Sequence, residues 1–303
     1  MVWRRGYHHP MFSYRHAFHA GNHADVLKHT ALIATLRHLV QKDAALTVID
    51  THAGAGLYRL DSDYAQTSGE AAEGVLKLLE NNNLAPALQD YIDLIRGFNR
   101  GHAGRVYPGS PFIIQTLLRP QDRLKLFEIH PSDIKALNGN VEQLEAGRQV
   151  AVLREDGFEG LKKFLPPPSR RALVLCDPSY EIKSDYARVW DTATDSLKRF
   201  PTGTYMVWYP VIPRPEAHDV PRKLKTLANK LGKPWLHATL CIKSGKTMVD
   251  AEGQTQRPGL SASGLFVINP PYTLKTALKP ALEDMVRLLG LDRNAAYSLE
   301  SAG

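Results

Sequence analysis

The stretch Leu46-Thr-Val-Ile-Asp50-Thr-His-Ala-Gly-Ala-Gly56 joins a short, β-branched apolar run to an acid and then to a glycine-rich turn. A run of that length bounded by turn residues reads as a buried strand. Gly54 and Gly56 allow the backbone to approach a ligand where a Cβ would block it. The spacing is not G-x-G-x-x-G, so the dinucleotide fingerprint is not met, and a tight strand-to-helix turn is the plain alternative. Working outward, the apolar period keeps switching. Arg123 to Ile129 alternates with period two, and Val150–Leu153, Arg171–Cys176, Thr204–Tyr209, Trp235–Ile242 and Ser263–Ile268 are further strand candidates.

Helical patterns lie between these runs. Val26 to Val40 has apolar residues at helical spacing, and Leu88, Tyr91, Ile92, Ile95 and Phe98 share one helical face. Thr67-Ser-Gly-Glu70 reads as a capping box opening a helix through Leu79, and Ser110-Pro111 as an N-cap followed by proline at the first helical position. Strands alternating with helices predict an α/β fold with a mostly parallel sheet covered on both faces. Ligands then collect at the carboxyl ends of the strands, near the topological switch point. The interval between Asp50 and Arg123 is too long for one crossover helix, which predicts an inserted helical subdomain over 57–105.

Composition narrows the class. The chain has 303 residues, 43% hydrophobic and 23% charged, an ordinary globular balance. No stretch approaches the roughly 18 apolar residues of a membrane span. Met1 to Pro10 lacks the apolar region of a secretory leader. Two cysteines, Cys176 and Cys241, cannot build a disulfide framework or a cysteine-only zinc site. What remains is a globular protein of the cytoplasm. Its 38 Lys and Arg against 31 Asp and Glu fit a polyanionic partner. Two zones hold much of that charge: Met1 to His29, with four basic residues and six of the twelve histidines, and Lys198 to Lys233, with eight basic residues.

Residues after four successive strands form a candidate site. A carboxylate at Glu128 can accept hydrogen bonds from both hydroxyls of a ribose; the plain alternative is an exposed strand-end charge. Asp156 and Gly157 can meet an adenine edge, or Asp156 can simply cap a helix. Together they match the layout for an adenosine-containing cofactor. Asp177-Pro-Ser-Tyr180 is the most specific. An adenine amine is a poor nucleophile because its lone pair is delocalised into the ring. The Asp177 carboxylate and the Pro178 carbonyl can accept its two N–H groups, while Tyr180 stacks on the unstacked base. Asn269-Pro-Pro-Tyr272 competes as a literal motif, but order along the chain favours Asp177, which follows the fourth strand counted from the glycine loop.

A second chemistry comes from His16, His19, His23 and His29, which as a metal centre would make a metal-dependent hydrolase. Against it, Gly21-Asn22 breaks the helical register and Asp25 is the only nearby carboxylate. No metal is expected.

The block Ser13-Tyr-Arg-His-Ala-Phe-His-Ala-Gly-Asn-His-Ala-Asp-Val-Leu-Lys-His29, followed by Asp50-Thr-His-Ala-Gly-Ala-Gly56, resembles the RlmJ-type 23S rRNA adenine-N6 methyltransferases. Tyr107-Pro-Gly-Ser-Pro111, Glu128-Ile-His-Pro131, Asp156-Gly-Phe158, Thr202 to Pro210 and Ile268-Asn-Pro-Pro271 extend the likeness over nearly the whole chain. The resemblance implies a class I, Rossmann-like methyltransferase sheet over 11–56 and 106–303, with S-adenosyl-L-methionine as cofactor. It implies cofactor contacts at His29, His52, Ser110, Glu128, Asp156 and Gly157, and Asp177 as the catalytic acceptor. Tyr14 and Lys28 would lie near the substrate, 23S ribosomal RNA, with no membrane and no obligate protein partner. Two departures stand out. Ser179 replaces the second proline of the family's Asp-Pro-Pro-Tyr, which leaves an inactive RNA-binding protein as a further alternative, and Met1 to Pro10 read as an N-terminal extension.

Overall fold

The computed structural model describes residues 19–61, 69–100, 106–245, 248–249, 255–256 and 259–303. The expected extension and Tyr14 lie outside them. The first part of the chain runs through α1 (His23–Leu39), β1 (Thr47–Asp50), β2 (Leu57–Arg59), α2 (Pro86–Phe98), β3 (Val106–Pro108), α3 (Ser110–Leu117), β4 (Arg123–Phe127), α4 (Pro131–Glu142) and β5 (Val150–Leu153). It continues through β6 (Ala172–Cys176), α5 (Ser184–Arg199), β7 (Thr204–Pro210), α6 (Pro215–Lys230) and β8 (Trp235–Cys241). After the two-residue strands β9 (Met248–Val249) and β10 (Thr255–Gln256) come β11 (Ala262–Ile268), α7 (Leu274–Leu289) and β12 (Ala296–Ala302).

Eight strands form one sheet in the order β12-β8-β11-β7-β6-β1-β4-β5. From β5 to β7 neighbours are parallel; β11 is antiparallel to both β7 and β8, and β12 is antiparallel to β8. This is the expected mixed α/β sheet, parallel at its centre. Every residue of β1, β6 and β11 is buried, which is why these strands read as unbroken apolar runs. The edge strand β12 is half-exposed and includes Ser298, Glu300 and Ser301, so no apolar pattern announces it. Side chains from α1, α2, α3 and α7 fill one face, and those from α5 and α6 fill the other. Among the described residues no helix is long and apolar enough to cross a membrane.

α1 has an unusual place. It packs against α2, α3 and α7 and also touches β8 and β11, so 13 of its 17 residues are buried. A helix covered on all sides has no solvent face for polar residues, and Asp25, Lys28 and His29 are therefore interior groups. Asn22 caps it by accepting from the Ala24 and Asp25 amides, starting the helix three residues before the apolar period does.

Between β1 and β4 the chain leaves along β2 and returns along β3, and the two pair antiparallel. The interval contains a short π-turn over Ala72–Leu76, a further turn over Lys77–Leu79, and α2. Of the expected pair Thr67 and Glu70, only Glu70 falls within the described residues. Its carboxylate accepts from Asn22 Nδ2 (2.8 Å) and pairs with His19 Nδ1 (2.9 Å).

The crossover from β1 to β4 goes one way along the sheet and the return to β6 goes the other, so the loops after β1 and β6 separate and open a crevice. The loop after β5 closes against it backbone to backbone. A Cβ on Gly157 would lie 1.9 Å from the Thr51 carbonyl oxygen, and neither backbone has a side-chain torsion with which to yield. Gly157→Ala should cost about 1–3 kcal/mol through overpacking. Urea denaturation read by circular dichroism checks this; an unchanged midpoint at unchanged slope would show the contact to be pliable.

Candidate active site

A cavity of about 340 Å³ opens at the carboxyl edge of the parallel strands. Lys28 and His29 of α1 reach it, as do His52 after β1, Ser110 at the start of α3 and Glu128 after β4. Asp156 and Gly157 after β5, and Asp177 and Pro178 after β6, complete the residues expected there. Tyr180 is absent from the wall. Its ring is buried against Tyr186 and Trp208, and its hydroxyl donates to the Trp208 carbonyl at 2.6 Å. The expected stacking face is thus turned inward, and Tyr180 anchors the turn after β6 instead.

Lys28, expected near the RNA substrate, is 4% exposed and lines the cavity together with Asp177. Its ammonium sits 2.9 Å from Asp25 Oδ1 and donates a short hydrogen bond to Asp177 Oδ2. Burial alone would lower the pKa of this ammonium, but the Asp177 and Asp25 carboxylates outweigh it and hold the value above the ordinary one. Asp25 is itself fixed, its Oδ2 accepting from the Gly21 amide at 2.9 Å.

Glu128 is more than a strand-end charge. Oε1 accepts from the amides of Ile129 (2.8 Å) and His130 (2.7 Å), and Oε2 accepts from the Gly54 amide at 2.8 Å. Burial raises its carboxyl above the usual range, with the His130 and Gly54 amides pulling the other way. Gly54 can present that amide because its φ is +61°, and a Cβ there would stand 2.3 Å from the Tyr58 hydroxyl. Asp156 does cap, Oδ1 accepting from the Phe158 and Glu159 amides, and its Oδ2 also takes a bond of 2.6 Å from Arg188. Burial opposes ionisation of Asp156, yet the Arg188 guanidinium holds it below the usual carboxylate value. That guanidinium lies 4.3 Å from the Phe158 ring centroid.

Ser110 is the first helical residue; Gly109 is the cap. The Ser110 hydroxyl donates instead to Asp50 Oδ2 at 2.6 Å, and Asp50 Oδ1 accepts from the His52 amide at 3.2 Å. Asp50 thus ties two expected contact residues from beneath, a role sequence reasoning missed because strand-end acids are common. Burial raises the Asp50 carboxyl to about 6, against the opposing pull of Ser110 and the His52 amide. Burial also lowers the His52 imidazole to about 4. Its ring meets Phe158 edge-on at 4.7 Å.

Asn269 stands on the opposite edge of the sheet. Because β11 runs antiparallel to β7, Ile268 pairs with Tyr205 at the start of β7, and the Asn269 amide donates to the carbonyls of Gly203 and Pro201. The N-terminal histidines take separate surroundings. His19 pairs with Glu70, His29 Nδ1 meets the Tyr107 hydroxyl at 2.6 Å, and His23 is buried with its pKa lowered by burial to about 4. His16 lies outside the described residues, and among those described no group of three or more ligating side chains could hold a metal.

The raised Asp50 carboxyl has a consequence for stability. The folded protein keeps that proton to about pH 6 whereas the unfolded chain releases it near its ordinary value of 3.8. The associated stabilisation is full below the unfolded pKa and is lost as pH rises through about 6. Relative to Asp50→Asn, the wild type should lose about 1 kcal/mol between pH 5 and pH 8. Parallel urea titrations at the two pH values measure the difference, and a constant gap would remove Asp50 as its source.

Residues 43–298 match the family model described as ribosomal RNA large subunit methyltransferase D, RlmJ. The chain is 42% identical over 272 residues to ribosomal RNA large subunit methyltransferase J of Escherichia coli strain K12, covering 90% of this chain and 92% of that one. It is 39% identical to the protein of the same name from Haemophilus influenzae, over 96% and 98% of the two chains. A crystal structure of a Legionella pneumophila protein superposes with a TM-score of 0.82 at 32% identity, covering 94% of this chain and 99% of the other. With its parallel strands, its switch-point cavity and these relatives, the chain belongs to the RlmJ family of ribosomal RNA large subunit methyltransferases.

Proposed function

We propose that this protein methylates the exocyclic N6 of an adenine in 23S ribosomal RNA, with S-adenosyl-L-methionine as donor and Asp177 as the group that receives the amine. The observation that carries the reading is the position of Asp177-Pro178. They follow β6 at the switch point and share one cavity with Glu128 and Asp156, whereas Asn269 lies on the far edge of the sheet.

The residues fit the donor. Glu128, held by three amides, keeps acceptor capacity for a ribose hydroxyl, and Gly54 brings its backbone to the cavity wall. His52 and Phe158 supply a ring wall beside Asp156. When bound, S-adenosylmethionine supplies an electrophilic methyl group on a sulfonium.

The protein's own part is alignment and electrostatics. Lys28 holds Asp177 Oδ2, which leaves Oδ1 and the Pro178 carbonyl for the two N–H groups of the incoming amine. Both acceptors turn the nitrogen lone pair out of the ring and favour the positive charge that builds on it. The departure at Ser179 leaves both of these groups present in the cavity wall. Of the basic stretch from Lys198 to Lys233, Arg214 follows β7 on the cavity's edge and contributes to the field for a phosphate backbone, whereas Lys198, Arg199 and Lys233 lie near Asn269 on the far edge. A cytoplasmic site of action belongs to the same reading.

Asp177→Ala should lower methyl transfer to unmodified 23S rRNA by about 100-fold or more while S-adenosylmethionine affinity stays within about threefold. Radiolabelled transfer and calorimetry read the two effects, and normal turnover would refute the assignment. Lys28→Met should depress kcat with little change in RNA affinity, since its ammonium meets carboxylates. A loss confined to RNA binding would make Lys28 an RNA contact instead.

A further inference from the structure

Behind His29 lies a chain of hydroxyls that the proposed reaction does not use. The Tyr107 hydroxyl is 2.6 Å from His29 Nδ1 on one side and 3.2 Å from the Tyr91 hydroxyl on the other. Tyr91 comes from α2 and Tyr107 from β3; both are fully buried. The His29 and Tyr107 rings also stack, with centroids 5.8 Å apart.

The order of donors in this chain is decided by counting protons. Each phenol has one O–H, and burial pushes both tyrosines well above their ordinary pKa, so both stay protonated. If Tyr91 donates to Tyr107 and Tyr107 donates to His29 Nδ1, every proton has an acceptor. If instead His29 donates from Nδ1, Tyr107 must donate to Tyr91. The Tyr91 proton then has nowhere to go, since its hydroxyl bonds only Tyr107 among the described residues. A buried donor without an acceptor is a state that folded proteins avoid.

We infer that Tyr107, backed by Tyr91, is a positioning residue that holds His29 as its Nε2–H tautomer, so that the imidazole in the cavity wall is preorganised as a donor toward an acceptor oxygen of the bound cofactor. The carboxylate of S-adenosylmethionine is such an acceptor. The inference rests on the reading of this cavity as the cofactor site. It gives the segment from β2 through β3 a function: its tyrosines set the hydrogen-bonding character of a residue on α1. The gain is preorganisation, which acts on cofactor affinity more than on the methyl-transfer step.

Two-bond 1H–15N spectra of the histidine side chains report the tautomer directly. In the wild type, His29 should give the Nε2–H pattern without ligand, and an Nδ1–H pattern there overturns the inference with no variant needed. Tyr107→Phe removes the acceptor's partner at nearly constant volume. The His29 signal should then shift to a tautomer mixture, and KM for S-adenosylmethionine should rise about fivefold while kcat at saturation changes less than twofold. Tyr91→Phe leaves Tyr107 free to donate to His29, so the Nε2–H pattern should persist with KM within about twofold. In Tyr107→Phe, an unchanged His29 signal or an unchanged KM overturns the inference. Failure of the wild type to bind S-adenosylmethionine in calorimetry would defeat the cofactor reading, and the tautomer spectra would still stand on their own.

Discussion

A lysine ammonium enclosed by two carboxylates organises this molecule. Lys28 lies on a helix packed from every side, so its charge cannot be hydrated by turning outward. Asp25 lies one turn before it on the same helix, and Asp177 comes from the far end of β6. A buried pair of this kind is a poor source of net stability, because desolvation consumes most of the attraction. Its worth is specificity. Removing any member strands the others, so the packing of α1 against the sheet and the direction of the turn after β6 are set together. The acceptor assigned to the reaction is therefore positioned by the core itself.

The same logic accounts for what was legible in the sequence. β1, β6 and β11 are covered on both faces, and their composition advertises it. The order of strand-end acids located Glu128, Asp156 and Asp177 because a parallel sheet delivers successive carboxyl ends to one edge. Asn269 had the more literal motif and the wrong edge, and only the reversal of β11 separates the two. That reversal cannot be read from an apolar run, since a strand buried on both faces looks the same in either direction.

What escaped was of another kind. Ser110 looked like a cap, but its hydroxyl has a better acceptor in Asp50, sixty residues earlier in the chain. Tyr180 looked like a stacking platform, yet it has a positive φ of 55° and its hydroxyl is drawn inward to Trp208. In each case a local pattern named a side chain correctly as a hydrogen-bonding or packing group and assigned it another partner. The fold supplied a partner more distant in sequence. Lys28 is the extreme case: it belongs to a basic stretch of sequence, while its side chain is buried between two carboxylates.

The cavity is consequently built from groups whose freedom has already been removed. Glu128 is tied by three amides, Asp156 by a helix terminus and Arg188, and Asp177 by Lys28. A displacement reaction on a methyl group requires collinear donor, carbon and acceptor, and it places little demand on proton traffic until the nitrogen has become cationic. Alignment is then the larger part of what a protein can contribute. A site that spends no ordering of its own carboxylates at the moment of reaction is suited to that task. The long segment between β1 and β4 makes sense in the same terms: together with α7 and the sheet it buries the helix that presents Lys28 and His29.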